Sequence, residues 1–235
     1  MGVTYNPRIV TDGLVLALDA ANPKSYPGSG TTWNDLSGQG NNASLNDGAY
    51  FSDNSILFDG DNDGVDLGKS YFETIDEFSV VIWFKPDGVK GGTQMLIYEG
   101  QGDGFGGNDE FHVQYDSGSS DEVAAWMTGG IAIGSGTGTV PVDKFSQVAY
   151  TVSGISATAT GTLYLNGVNE GTGTGTINRS GYGVNTLVGR PYSLAFPTPP
   201  RSYEGLIQTV SIYNRALTES EIQQNFNALR SRFSI

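Results

Sequence analysis

The chain has 235 residues, of which 12 are basic and 25 acidic, and its formal net charge at pH 7 is −13. A surface this acidic repels nucleic acid and anionic membranes, so we expect neither as a partner. The absence of cysteine excludes a disulfide framework and thiol chemistry, and the single histidine, His112, excludes a histidine-rich metal centre.

The N-terminal segment, MGVTYNPRIV, lacks the apolar stretch of a signal peptide, and no segment approaches a membrane span in length and apolar content. We therefore expect a protein that stays in its cell or leaves it without a signal peptide, as virion proteins do. No break in composition and no charged linker divides the chain, which predicts one domain over residues 1–235.

Short apolar or alternating segments follow one another along the chain, each bounded by Gly, Asn, Asp, Ser or Pro. They are GLVLALDA, SILFDG, GVDLG, FSVVIWFKP, TQMLIYEG, EFHVQYD, EVAAWMT, KFSQVAYTVSG, GTLYLNGV, NTLVGRPY and EGLIQTVSIYNR. About a dozen short strands at this spacing predict an all-β sandwich or barrel. The GTGT elements in GSGTGT and EGTGTGT are interpreted as hairpin turns and edges, and Trp33, Trp83 and Trp126 as core or sheet-packing residues.

The stretch ILFDGDNDGVDLG concentrates carboxylates that repel one another unless water or a cation screens them. Asp59, Asp61, Asp63 and Gly64 match the first half of an EF-hand loop. The twelfth position, where a bidentate Glu is needed, is Ser70, and the preceding segment reads as a strand instead of a helix. We interpret the stretch as a solvated turn, with a calcium loop as the alternative.

One helix is predicted, near the C-terminus, in ALTESEIQQNFNALRSR. Thr218 is its expected N-cap, and Glu221 is placed to complete a capping box. Ile222, Phe226 and Leu229 form an apolar stripe at helical spacing. We expect this short helix to pack against the sandwich and close it.

The order of GLVLALDA, TWNDLSGQGNNASL, SILFDGDNDGVDLG, FSVVIWFKP, GTLYLNGV and GLIQTVSIYNRALTESEIQQNFNA resembles the LamG-like jelly-roll domains of the concanavalin A-like lectin/glucanase superfamily. It looks most like the versions found in tailed-phage virion proteins and in bacterial surface proteins. The resemblance implies two antiparallel sheets packed face to face, one of them curved into a shallow groove. The fold hosts lectins, glycan-cleaving enzymes, calcium modules and structural parts, so function has to be argued from the site.

The resemblance also implies a calcium site. Many relatives bind one structural calcium ion where the N-terminal strand, an early loop and the last strand meet. This suggests Asp19, Asp35 and the backbone carbonyls near Gly40 and Asn42, although the last strand lacks the acidic pair that relatives often carry. The alternative is that Asp35 accepts hydrogen bonds from the amides of its own loop.

Catalysis is the less favoured interpretation. Laminarinase-like members of the superfamily carry Glu-x-Asp-x-x-Glu, and NDEFHVQYD does not have that spacing. Alginate-lyase-like members use Gln, His, Tyr and Arg from several strands, which His112, Gln114 and Tyr115 could imitate in part. We expect no enzymatic activity, with a polysaccharide lyase or glycoside hydrolase as the alternative.

Two loops carry aromatic residues suited to stacking on sugars. EGQGDGFGGNDE holds Phe105 among glycines, and GRPYSLAFPTPPRSYEG holds Tyr192, Phe196, Arg201 and Tyr203 among prolines. Prolines fix a loop and lower the entropy lost on binding. The same residues suit a protein–protein contact, in which Tyr and Arg are favoured.

Two functions are therefore predicted. The first is a non-enzymatic structural, decoration or adhesion protein on the virion surface of a tailed phage, in contact with other virion proteins or cell-surface glycans and able to form a homo-oligomer. The second is a free-standing carbohydrate-binding domain.

Overall fold

The computed structural model describes residues 8–73, 75–88, 90–101, 109–117, 120–136, 138–156, 158–177, 183–192 and 201–235, with backbone alone for residues 109 and 110. The strands are β1 (Leu14–Asp19), β2 (Thr32–Trp33), β3 (Ala43–Asn46), β4 (Tyr50–Ser52), β5 (Ser55–Asp59), β6 (Gly64–Asp66), β7 (Phe78–Pro86), β8 (Gly92–Gly100), β9 (Asp109–Ser117), β10 (Glu122–Met127), β11 (Ile131–Gly134), β12 (Ser146–Ser153), β13 (Ala159–Leu165), β14 (Val168–Gly175), β15 (Leu187–Val188) and β16 (Glu204–Tyr213). The helix α1 (Glu219–Leu229) follows, and a 3-10 turn (Arg230–Phe233) continues it.

These strands form two antiparallel sheets of eight strands each. The first sheet has the order β14-β13-β12-β7-β16-β5-β4, with β1 also paired to β16. The second has the order β11-β10-β9-β8-β15-β6-β3-β2. Many neighbours in each sheet are distant in sequence, so the chain crosses repeatedly between the sheets. This arrangement confirms the predicted all-β jelly-roll sandwich.

One apolar cluster fills the space between the sheets. Alternate residues of β7 point into it from the first sheet, and alternate residues of β9 meet them from the second. The rings of Phe72, Phe78 and Phe111 illustrate the packing, with centroids 4.6 to 5.1 Å apart. Aromatic burial of this kind is a large part of what holds two sheets together.

The C-terminal helix forms as predicted. The Thr218 side chain accepts a hydrogen bond from the Glu221 backbone, and the Glu221 side chain accepts one from the Thr218 backbone, which completes the capping box. The helix covers the outer face of the first sheet, where the Trp83 ring lies between Phe226 at 5.6 Å and Phe233 at 4.2 Å. No helix in the described part of the chain is long and apolar enough to cross a membrane.

The segment EGTGTGT lies in β14, at the edge of the first sheet, and its glycines face β11. A Cβ atom on Gly175 would lie 2.7 Å from the Gly129 carbonyl oxygen, and one on Gly171 would lie 3.0 Å from Ile133. The threonines between the glycines point outward and are exposed. At Gly175 the edges of the two sheets therefore approach too closely for a side chain.

Candidate functional site

A row of side chains crosses the outer face of the second sheet. Pairing along the sheet places Trp126, His112, Tyr98, Leu187 and Asp66 opposite one another in that order. The residues on either side of Trp126 and His112 belong to the core, so these two side chains face away from it. The rings stack, with centroids 5.4 Å apart for His112–Trp126 and 6.3 Å for Tyr98–His112. Trp126 thus packs on the sheet and not in the core, whereas Trp33 and Trp83 are fully buried.

His112 is 3% exposed although it lies on the outer face. Burial lowers its pKa to about 4, against a hydrogen bond with Gln114 that raises it, and the charge of Arg201 lowers it further. The imidazole is therefore neutral near pH 7. Tyr115 points into the core, so it does not join His112 and Gln114 in the lyase-like cluster that the sequence suggested.

At the other end of this row lies an open groove of about 570 Å³. Its described lining residues are Asp66, Gly183, Val184, Asn185, Leu187, Arg190 and Tyr192. The Tyr192 side chain is well exposed, and it is one of the predicted contact residues. We call this feature the Tyr192 groove.

The polar groups of the Tyr192 groove are held in place by the protein. The Asn185 amide donates to both carboxylate oxygens of Asp66, at 2.9 and 3.1 Å, and the Gly68 backbone N–H donates to the same carboxylate at 2.7 Å. An aromatic ring with a few fixed polar groups around it is the usual composition of a small-ligand site.

Arg190 contributes the positive charge of the groove. Its Nη2 atom lies 3.2 Å from the Asp47 carboxylate, and its side chain is 17% exposed. The side chain lies directly over Gly64, where a Cβ atom would be 2.6 Å from Nε. Glycine at position 64 therefore allows Arg190 to lie flat against β6.

Behind the groove, Glu99 is 1% exposed and ties three segments together. Its carboxylate accepts hydrogen bonds from the backbone N–H groups of Tyr71 at 2.8 Å and Phe72 at 3.2 Å, and from the hydroxyls of Ser70 at 2.7 Å and of Thr186. Burial raises the pKa of Glu99 in spite of these donors. Because Thr186 lies between two groove residues, Glu99 supports the groove wall.

The other predicted contact residues do not gather at the groove. Tyr203 is fully buried, with its ring against Phe58 and Phe84. Burial therefore removes Tyr203 from the predicted contact set. Arg201 is half-buried and acts electrostatically on His112. The predictions for Phe105 and Phe196 fall outside the described residues.

In the acidic stretch ILFDGDNDGVDLG, a lysine side chain of the same chain lies near the carboxylates. The Lys90 ammonium donates to the Gly60 carbonyl, and its positive charge faces Asp59 and Asp61. Asp59 accepts a hydrogen bond from the Asp61 N–H, and Asp63 accepts one from the Asp59 N–H, both at 2.9 Å. Among the described residues no group of three or more His, Cys, Asp or Glu side chains is arranged to hold a metal ion.

Asp35 is the centre of the predicted calcium site, and both of its carboxylate oxygens accept hydrogen bonds from nearby residues. One carboxylate oxygen accepts from the N–H groups of Ala17 at 2.9 Å and Ser37 at 2.8 Å. The other accepts from the Ser37 hydroxyl at 2.6 Å and the Asn41 N–H at 3.0 Å. Burial acts to raise the pKa of Asp35, but these hydrogen bonds outweigh it, and the pKa is lowered.

Two further side chains of the predicted site have partners within the chain. Asp19 forms an ion pair with Arg232 at 2.8 Å, and the Asn42 side chain accepts a hydrogen bond from the Asp35 N–H at 3.0 Å. Gly40 has a positive φ of 74°, as a tight loop requires. A calcium ion at the carboxylates of Asp35 and Asp19 would compete with these partners. Calcium binding stays a prediction.

Comparison with known proteins bears on the fold. The Laminin_G_3 family, described as concanavalin A-like lectin/glucanases superfamily, matches residues 59–223. Trypanosoma rangeli sialidase in complex with sialic acid is similar with a TM-score of 0.70 and 21% identity, over 97% of this chain and 36% of that one. Domain 4 of AbnA, a GH43 extracellular arabinanase from Geobacillus stearothermophilus, in complex with arabinotriose, has a TM-score of 0.65 and 17% identity, over 90% and 97%.

The binding domain of Paraclostridial Mosquitocidal Protein 1 is similar with a TM-score of 0.63 and 18% identity, over 93% of this chain and 52% of that one. No curated protein matches the sequence. The chain spans about a third of the sialidases it resembles, and at these identities the likeness shows the fold alone.

Proposed function

The chain belongs to the concanavalin A-like lectin/glucanases superfamily, and on that basis we propose that it is a non-enzymatic carbohydrate-binding domain that uses the Tyr192 groove. The observation that carries the proposal is the exposed Tyr192 ring beside the fixed polar groups of Asp66, Asn185 and Arg190. The similar arabinanase domain in complex with arabinotriose supports it, because that domain is covered almost entirely by the match.

The chemistry of the groove suits a sugar. The apolar face of a pyranose or furanose ring can stack on Tyr192, which removes apolar surface from water. Sugar hydroxyls can donate to Asp66, whose carboxylate has about four lone-pair sites, three of them occupied by Asn185 and Gly68. A single open site of this size is expected to bind in the millimolar-to-micromolar range.

The groove is poorly equipped for glycoside hydrolysis. That reaction uses two carboxyl groups about 5 to 10 Å apart on either side of the scissile bond. Among the described lining residues of the groove, Asp66 is the one carboxylate, and Asn185 and Gly68 fix it in place. This favours binding over catalysis as the proposed function.

Substitution of Tyr192 by alanine tests the proposal. We expect Tyr192→Ala to weaken oligosaccharide binding about 5-fold or more, because stacking of a ring on an aromatic side chain contributes roughly 1–3 kcal/mol in the case of nucleic-acid bases. Titration calorimetry with the best ligand from a glycan panel would measure it, with calcium and again with EDTA. Tyr50→Ala is a matched control, since Tyr50 is 55% exposed and Tyr192 54%. Equal affinity of the two variants would refute the groove as the site.

We further propose the virion surface of a tailed phage as the location, with virion proteins or host glycans as partners. The support is the resemblance along the sequence and the net charge of −13, which suits a solvent-facing protein. Immunogold labelling of purified particles should then decorate their surface. Consistent absence of the protein from virions would refute this location and leave the carbohydrate-binding proposal intact.

A further inference from the structure

Arg190 has hydrogen-bonding capacity that the described residues do not use. Its guanidinium carries five donors in a planar fork. Asp47 approaches one terminal nitrogen, Nη2, at 3.2 Å. Within the described part of the chain no partner contacts the other terminal nitrogen, Nη1. Since the side chain lines the groove and is partly exposed, these donors can meet a ligand.

The carboxylate in the groove, Asp66, accepts its hydrogen bonds from residues other than Arg190. Asp66 is held by Asn185 and Gly68, and the described contacts pair Arg190 with Asp47 and not with Asp66. Arg190 is therefore oriented by a carboxylate that is not among the described lining residues, while its own side chain lines the groove. A ligand that brings an acceptor with negative charge would complete the fork.

Arg190 is also preorganised. Its aliphatic stem lies on Gly64, where a Cβ atom would be 2.8 Å from Cδ, so the side chain has little freedom to leave. Asp47 stands at positive φ (61°), in a turn that presents its carboxylate to the guanidinium. A side chain held in its binding conformation loses less entropy when a ligand arrives.

We propose that the Tyr192 groove selects sugars that carry a carboxylate, such as uronic acids, with the carboxylate on Arg190 and the ring on Tyr192. The inference rests on the proposed carbohydrate-binding function and names its ligand class. Charge-assisted hydrogen bonds between guanidinium and carboxylate are about twice as strong as neutral ones and often bidentate. A neutral sugar can offer hydroxyl acceptors to Arg190, but not this pairing.

The net negative charge of the chain predicts a particular dependence of the affinity on salt concentration. A ligand anion is repelled by the overall charge of −13 and attracted by Arg190 at contact distance. Raising the salt from 0.01 to 0.15 M shortens the Debye length from about 30 to about 8 Å, which screens the distant repulsion more than the contact. Affinity for the acidic sugar should therefore rise or stay level over this range, whereas binding to a basic patch would fall.

The test compares each ligand with its own uncharged form. The probes are trimers of galacturonate, glucuronate and mannuronate, and the same trimers with their carboxylates methyl-esterified. We expect at least one acidic trimer to bind about 10-fold more tightly than its ester, a difference of about 1.4 kcal/mol. Arg190→Gln should reduce that preference to less than about twofold, and Arg190→Lys should retain part of it, since it keeps the charge but loses the fork.

Arg8→Gln is the matched control, because it removes one positive charge from an exposed residue outside the groove. It should leave the preference unchanged. Equal binding of acids and esters, or a preference that survives Arg190→Gln, would overturn the acidic-sugar inference while the carbohydrate-binding function stands. Failure of every sugar on the broad glycan panel to bind would refute that function, and this inference with it.

Discussion

Replacement of Glu99 by alanine is expected to lower the free energy of unfolding by about 3–5 kcal/mol, because it leaves several buried donors without an acceptor. The donors are the backbone N–H groups of Tyr71 and Phe72 and the hydroxyls of Ser70 and Thr186. Urea denaturation at neutral pH would measure the change. Glu77→Ala, at an exposed glutamate, should stay within about 0.5 kcal/mol of the unsubstituted protein.

Glu99→Gln adds a pH dependence to this prediction. Burial raises the pKa of Glu99 in the folded state above its ordinary value of 4.5. The folded protein therefore holds this proton more tightly than the unfolded chain. The stabilisation that comes from this proton is complete below pH 4.5 and is lost as the pH rises through the folded pKa, whereas the carboxylate still accepts its hydrogen bonds at neutral pH. The difference in unfolding free energy between the unsubstituted protein and Glu99→Gln should thus be larger at pH 5 than at pH 8. A difference that grows with pH would contradict the assigned direction.

Replacement of Trp83 by alanine is expected to cost about 3–5 kcal/mol of stability, the range for deleting a fully buried large aromatic side chain. Trp83 is fully buried, and its ring is what Phe226 and Phe233 pack against. Its indole nitrogen is buried and has no hydrogen-bond partner among the described residues. Trp83→Phe should therefore cost much less, because it keeps a ring between the two phenylalanines and removes an unsatisfied donor.

Thermal denaturation and limited proteolysis would measure the effect of the two Trp83 substitutions. Cleavage within the helix at Glu219–Leu229 should become faster in Trp83→Ala and stay near the original rate in Trp83→Phe. An alanine variant that loses less than about 1 kcal/mol would mean that the helix is held by its other contacts, such as Ile222 in the smaller cluster on this face.

Much of the fold could be predicted because its signals are local. Strand β7 follows from a run of nine residues that is apolar on both faces, and the helix begins where Thr218 and Glu221 predict it. The short strands β2, β4 and β11 were missed, because segments of two to four residues carry too little periodicity. In NTLVGRPY, predicted as a strand, β15 occupies two residues, and Asn185, Arg190 and Tyr192 on either side of it line the groove.

The site was harder to predict because it joins residues far apart in sequence. Tyr192 was found from the composition of its loop. Asp66 lies in one predicted strand segment, GVDLG, and Asn185 and Arg190 lie in another, NTLVGRPY. The pairing of β15 with β6 is what brings them together in the groove. Tyr203 is a residue type that is common in contacts, but directly before β16 its ring is turned inward and is buried.

The glycine-lined edge at β14 has a practical consequence for studies of binding. Its inward Gly175 accepts no larger residue, whereas the outward Thr172 and Thr174 are exposed and meet no such restriction. Either position, substituted by cysteine in this cysteine-free chain, is thus a suitable attachment point for a dye or a surface linker. The neighbouring β11 lies four strands from β15 in the second sheet, about 20 Å away. Protein immobilised through this edge would present its groove to solution.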